Sequence, residues 1–143
     1  MIGPPEHGER GSVTLFVLGL CVMMLFVGGI SLDLWRAFSE RRALASAADA
    51  AAVAGASGID TDVYRTTGKV RLDPSTSEAL AWDNLRRQED IRSLVDATVD
   101  ATSTDVTVTA TGRVDFTLLR IFLSREDPFR VSVRATAEPK RSS

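Results

Sequence analysis

Residues 12–32, SVTLFVLGLCVMMLFVGGISL, decide how this chain folds. The stretch contains no charged residue. About 20 apolar residues, each rising about 1.5 Å along a helix, span the roughly 30 Å of a bilayer core. The stretch therefore predicts a single transmembrane helix.

The helical pattern continues beyond the apolar stretch into DLWRAFSERRALASAADAAAVAGA, residues 33–56. This segment contains no Pro, its first Gly is Gly55, and its second half is nearly all Ala. Alanine has the highest helix propensity, and glycine commonly ends a helix. We therefore expect one helix over residues 12–57, with Gly55 and Gly58 as its stop.

A cleaved secretory signal peptide is the competing interpretation of the N-terminus. Its apolar core has about 7–15 residues and is followed closely by a small-residue cleavage site. Here the apolar run is longer, and the nearest such site, at residues 45–47, lies beyond a charged block over residues 33–42. The sequence therefore favours an uncleaved single-pass anchor.

Composition excludes several functional classes. The formal net charge of the 143 residues is −2, so nucleic acid is not an expected partner. The single cysteine, Cys21, lies in the apolar stretch, and the single histidine, His7, lies in the N-terminal tail. This excludes a Cys/His metal site and any Ser–His or Cys–His nucleophile pair. No Ca²⁺-loop spacing and no glycine-rich phosphate loop is present. We expect no enzyme activity, cofactor, metal or small-molecule substrate.

The C-terminal part alternates between helix and strand signals. We expect a loop over residues 58–72 and then a helix opening at Asp73-Pro74, where Ser75 and Glu78 have capping-box spacing. Strands are predicted over residues 94–101, 105–111 and 129–137, with a turn at 102–104, a bulge near Gly112 and a short helix over 116–123.

The predicted fold class is α+β and pilin-like. A transmembrane helix extends into a long alanine-rich helix, which packs with a small three-stranded antiparallel sheet and one or two short helices. The expected divisions are a tail (1–11), a transmembrane segment (12–32), the helix extension (33–57), a small α+β domain (58–138) and a flexible tail (139–143).

The N-terminal third of the chain resembles a known family. Gly11-Ser12 opens the apolar helix, Asp33 follows at its outer end, then come Arg36 and Arg41-Arg42, and the segment AADAAA occupies residues 47–52. This order is similar to the N-terminal module of TadE/TadG-like proteins of Tad (Flp) pilus assembly. The resemblance implies a membrane-anchored, non-enzymatic, pilin-like or assembly component, whose partners are the membrane and other pilus or secretion-system proteins.

One feature departs from the prepilin-type members of such systems. Those members are cut after a Gly and carry a Glu at the fifth mature position. The fifth residue after Gly11 is Phe16, and no acid lies within residues 12–32. We therefore expect the chain to stay uncut at Gly11, as TadG-like members do not depend on that Glu.

The candidate protein-interaction residues are six: Asp33, Ala47, Ala48, Asp49, Ala51 and Ala52. The alanines permit close packing against the protein's own sheet, a partner helix, or both. Asp49 is interpreted either as a contact to a neighbouring subunit or a cap for a facing loop, or as part of a solvated helix face. Asp33 is either an assembly residue or the edge of the membrane segment.

Two arguments conflict over membrane orientation. One basic residue, Arg10, precedes the apolar stretch and three, Arg36, Arg41 and Arg42, follow it closely, which favours a cytoplasmic C-terminal part. The resemblance implies a single-pass protein of the cell membrane with its C-terminal domain outside the cytoplasm, and we adopt that orientation. The alternative function is a single-pass membrane structural protein whose soluble domain binds an unidentified protein partner.

Overall fold

The computed structural model describes residues 9–88, 94–116 and 129–140. These residues form two compact units. One contains residues 9–35 and Phe116, and the other contains residues 36–88, 94–115 and 129–140. The alanine-rich part of the first helix and the sheet therefore belong to the same unit.

The first helix, α1, runs over Glu9–Gly55 without interruption. By length and composition it contains one segment able to cross a membrane, and none of the most apolar window of that segment is buried. At its C-terminus the Gly58 N–H donates to the Gly55 carbonyl at 3.0 Å, which tightens the last turn. The predicted stop at Gly55 and Gly58 is confirmed.

A short second helix, α2, covers Thr61–Thr67. The predicted loop over residues 58–72 is therefore wrong for this segment. Asp60 is the N-cap, and its side chain accepts hydrogen bonds from the Asp62 and Val63 N–H groups at 3.1 and 3.0 Å. Gly68 ends the helix in the left-handed conformation, with φ of 68°. These two caps stabilise α2, which is too short to be predicted from a periodic pattern of apolar residues.

The third helix, α3, runs over Pro74–Arg87. Its N-cap is Asp73, followed by Pro74 in the first turn, as the Asp-Pro pair predicts. Ser75 lies inside the helix, so the predicted Ser75–Glu78 capping box is wrong. The side chains of Ser77, Ala81 and Leu85, spaced four residues apart, form the buried stripe of α3.

Three strands form an antiparallel sheet in the order β1–β2–β3: β1 covers Leu94–Ala101, β2 covers Val106–Val114 and β3 covers Phe129–Ala137. Every second residue of β2 is buried, which places Val106, Val108 and Ala110 on the inner face. The pairing of β1 with β2 shifts between Leu94, opposite Gly112, and Asp96, opposite Thr111. Val95 is thus the extra residue of a bulge, at the place that Gly112 predicts.

The core lies between the inner face of the sheet and the helices α1 and α3. Buried residues of α1, including Leu44 and Ala48, join Ala81 and Leu85 of α3 and Val106 and Val108 of β2 in one apolar cluster. The α+β class, with a long apolar N-terminal helix, short helices and a three-stranded antiparallel sheet, is confirmed. The predicted helix over 116–123 lies outside the described residues except for Phe116, which is not helical.

Candidate interaction surface of the alanine-rich helix

The alanine-rich segment, residues 43–55 of α1, has one fully buried stripe. Its buried apolar residues recur at helical spacing of three and four, and each is at most 1% exposed: Leu44, Ala47, Ala48, Ala51 and Ala52. This spacing places them on one side of the helix. Four of the six predicted interaction residues therefore lie inside the protein's own domain.

Small side chains let α1 approach the sheet and α3 closely. A Cβ atom built on Gly55 would lie 2.9 Å from Val106 Cγ1 and 3.0 Å from the Ser77 carbonyl oxygen. Both distances are shorter than ordinary van der Waals contact. Because Gly55 has no side chain, both Val106 of β2 and the backbone of α3 can pack directly against α1 at this residue.

The opposite side of the segment is a solvent-exposed face, made of Ser46, Asp49, Ala50 and Val53. Val53 is 65% exposed although it is apolar. The Asp49 side chain forms no hydrogen bond and no ion pair with any other residue in the described part of the chain. We call these four residues the Asp49 face.

The helix end is fastened to α3 through one carbonyl group. The Gly58 carbonyl accepts a hydrogen bond from the Asp73 N–H at 2.9 Å and another from the Ser77 hydroxyl at 3.3 Å. Ser77 is fully buried, so its hydroxyl needs this partner. The junction of Gly58, Asp73 and Ser77 joins the end of α1 to the start of α3.

The carboxyl groups of Asp73 and Asp105 have lowered pKa values, and both belong to local caps. Hydrogen bonds from the Thr76 and Ser75 hydroxyls, at 2.6 and 2.9 Å, hold the pKa of the Asp73 carboxyl below its ordinary value. In the turn between β1 and β2, hydrogen bonds from the Thr102 and Thr104 hydroxyls likewise lower the pKa of Asp105. Both groups lie at the surface and stabilise a helix start and a turn.

That turn also ties the sheet to the segment before α3. The Leu72 N–H donates to the Ser103 carbonyl at 3.0 Å. Leu72 itself is 2% exposed and belongs to the apolar core. The predicted turn at 102–104 thus supports the core as well as reversing the chain.

The predicted interaction residues have three different environments. The four alanines pack inside the domain, Asp49 lies on the exposed side of the same helix, and Asp33, only 3% exposed, belongs to the other unit. A contact of any of them with another protein stays a prediction. Sequence reasoning missed Leu44 and Ser77 as packing residues; the spacing of Ser77 to Ala81 and Leu85 is the signal that identifies it.

The described residues offer little for catalysis or metal binding. No group of three His, Cys, Asp or Glu side chains placed to hold a metal ion occurs among them. Their ion pair between Arg87 and Asp83, at 2.6 Å, is a surface pair one helical turn apart.

The N-terminal helix matches a protein family. Residues 11–58 match the model of the family described as "Putative Flp pilus-assembly TadE/G-like". The match begins at the start of the apolar stretch and ends at Gly58, in the turn that terminates α1. The resemblance predicted for the N-terminal module is therefore confirmed. No curated protein and no solved structure matches the chain.

Proposed function

We propose that this chain is a membrane-anchored, non-enzymatic component of a Tad/Flp-type pilus or secretion system, of the pilin-like or assembly kind. The family match over residues 11–58 carries the proposal, because its bounds coincide with one structural element, α1 and its terminating turn. The match therefore covers the anchor and the alanine-rich segment together.

The exposure of the apolar stretch supports anchoring in a membrane. Leu15, Phe16 and Leu25 are each at least 70% exposed. Leaving one such side chain in water rather than burying it costs about 1.5–3 kcal/mol, and a bilayer removes this cost for the whole stretch. Trp35 and Phe38 are also exposed and come shortly after the apolar stretch. Aromatic side chains are enriched at this position because their rings favour the membrane–water interface.

The Asp49 face is the part of the helix that we assign to a partner. Ala47, Ala48, Ala51 and Ala52 contribute indirectly, since they hold α1 against its own domain and so keep the face rigid. Asp49 contributes directly, as an unpaired charge within the described structure that is flanked by the small side chains of Ser46 and Ala50. Asp33 is assigned to the edge of the membrane segment.

The function is tested by deleting the gene that encodes this chain from its own cell. We expect loss of surface filaments in electron micrographs, or loss of the secreted product of the system, and recovery when the full chain is supplied again. Normal filaments and normal secretion in the deletion strain would contradict the assignment to this machinery.

The role of Asp49 is tested in the same strain with Asp49→Asn. This change keeps the side-chain size and removes the charge. We expect it to restore filaments less well than the parent chain while the domain keeps its melting temperature. Glu78→Gln, which removes an exposed charge from α3, is the matched control and should restore filaments fully. Equal restoration by both variants would show that the charge of Asp49 contributes nothing.

A further inference from the structure

The two edge strands of the sheet carry opposite charges on the same face. Every second residue of β1 and β3 lies on the outer, exposed face of the sheet, away from the helices. On β1 these residues are Asp96, Thr98 and Asp100, and on β3 they are Arg130, Ser132 and Arg134. One edge of the outer face is therefore acidic and the other is basic.

None of these four charged side chains has an ion partner within the described part of the molecule. Their cross-strand neighbours on β2 include no acid. Thr111 is opposite Asp96, Thr107 is opposite Asp100 and Thr109 is opposite Arg134. Arg130 is opposite Arg113, a residue of like charge. Among described residues, no strand pairs with the outer edge of β1 or of residues 131–137 of β3. Both edges thus present backbone groups next to uncompensated charges.

The spacing of the charges is the same on both edges. Asp96 and Asp100 are four residues apart, and so are Arg130 and Arg134. The strands β1 and β3 are both antiparallel to β2 and so run in the same direction. A second copy in the same orientation would lay its β1 parallel to this β3, with Arg130 opposite Asp96 and Arg134 opposite Asp100.

We infer that the sheet extends from copy to copy by parallel pairing of β3 of one chain with β1 of the next, in this register. The inner face supports the same alignment, since it puts Val131 opposite Ala97 and Val133 opposite Val99, both pairs apolar. The inference goes beyond the proposed function, because it concerns contact between copies of this chain whatever machinery the chain serves.

Charge also selects against the symmetric alternatives. Antiparallel pairing of β1 with a second β1 about Thr98 puts Asp96 opposite Asp100, and pairing of β3 with a second β3 about Ser132 puts Arg130 opposite Arg134. Pairing of β3 with a second β3 about its central residue, Val133, puts each of these arginines opposite a hydroxyl residue and provides no acid. Like charges directly opposite across strands are destabilising, whereas opposite charges are favourable. Only the pairing of unlike edges satisfies all four charges.

This pairing is heterologous, so it leaves one free β1 edge and one free β3 edge at the ends of any assembly. Such an interface builds an open chain of copies unless its rotation closes a ring. Within one chain, Asp96 and Ser132 both pair with Thr111 and so lie at the same height in the sheet. In the proposed contact, Asp96 of the neighbour lies opposite Arg130, two residues before Ser132. Successive copies are therefore staggered by two residues, about 7 Å along the strand.

Site-specific cross-linking in the full chain, reconstituted in lipid vesicles, tests the register. Cys21 is replaced by Ala, one sample carries Thr98→Cys and a second carries Ser132→Cys. Thr98 and Ser132 are opposite each other in the proposed contact. Within one chain, β2 separates them by two strand spacings, about 10 Å, which is beyond the 7 Å limit of a disulfide.

We expect disulfide-linked dimers when the two samples are mixed before reconstitution and oxidised, and monomers when either is oxidised alone. Absence of dimers from the mixture, or equal yields from the single variants, would overturn the inference.

A charge exchange in the same assay separates pairing from folding. Adding Arg130→Asp and Arg134→Asp to the Ser132→Cys copy should abolish its cross-linking to the Thr98→Cys copy. Adding Asp96→Arg and Asp100→Arg to that second copy should restore the yield, because the edges are again complementary. Failure of the restoration would contradict the pairing. A higher yield after the first exchange alone would also contradict it, and would show that the charges protect the edges from association.

Discussion

At the scale of single residues, Gly58 is a position where the structure has no room for a side chain. A Cβ atom there would lie 2.6 Å from Ser77 Oγ and 2.9 Å from the Ser77 backbone nitrogen. The glycine is needed for close approach of two chain segments rather than for an unusual backbone angle. Its identity is thus set by α3, which starts more than a dozen residues later.

We expect Gly58→Ala to destabilise the domain by about 1–3 kcal/mol, the usual cost of overpacking a tight contact. Because one of the crowded atoms is backbone, the neighbour cannot simply rotate away. Gly28→Ala is the matched control, since a Cβ atom at Gly28 meets nothing within 4 Å. Thermal melting of the full chain in detergent measures both. Equal melting temperatures for the two variants would show that the junction can relax.

Asp73 gives the domain a predictable response to acid. Its pKa is lowered in the folded protein, so its charge contributes stability above the unfolded pKa of about 3.9 and this contribution is lost as pH falls through the folded value. Asp73→Ala should therefore lower the melting temperature most at neutral pH and least in acid. Asp73→Asn retains an acceptor for the helix N-terminus but not the charge, so its deficit should be smaller at neutral pH. A deficit for Asp73→Ala that stays constant from neutral to acid pH would contradict this role.

At the scale of elements, the alanine-rich segment of α1 has two sides that composition alone does not distinguish. Ala50 and Ala51 are adjacent, yet Ala50 is exposed and Ala51 is fully buried against the domain. Both are in the same helical turn, so their intrinsic helix propensity is the same. Any difference between substitutions at these two positions reports packing alone.

We expect Ala51→Leu to destabilise the domain by about 1–3 kcal/mol and Ala50→Leu to leave it nearly unchanged. Leucine is close to alanine in helix propensity, so neither change breaks the helix. Urea unfolding of the full chain in detergent, followed by circular dichroism, gives both values. Similar midpoints for the two variants would mean that the segment is a spacer and that its small residues are not needed for packing.

At the scale of the whole molecule, two arguments predict opposite membrane orientations for the second unit. The resemblance to TadE/TadG-like proteins implies an extracytoplasmic position, which we predict, whereas the arginines after the apolar stretch favour the cytoplasm. We expect a reporter that is active only outside the cytoplasm to be active when fused after Ser143. Activity only from a cytoplasmic reporter at the same site would reverse the orientation and favour a membrane protein with a cytoplasmic partner.

Much of the fold follows from local sequence signals. The apolar stretch, the glycines at the end of α1, the Asp-Pro start of α3 and the alternation in the strands each act through nearest neighbours or a short period. The helix α2 was missed because its signal consists of two caps, Asp60 and Gly68, around only seven residues. The capping box was misplaced because Asp73 competes with Ser75 for the same role.

The apolar stretch, the continuous helix and the three strands can be predicted from the sequence, because they depend on composition and periodicity along the chain. Which alanines of residues 47–52 are buried is visible only in the folded domain, because a run of small side chains has no apolar face to distinguish. Ala48, Ala51 and Ala52 are buried because they share the apolar core with β2 and α3, and Asp49 lies on the side of the helix that is exposed. The pairing register of the strands likewise revealed that opposite charges line the two edges of one face, since that face exists only once the sheet has formed.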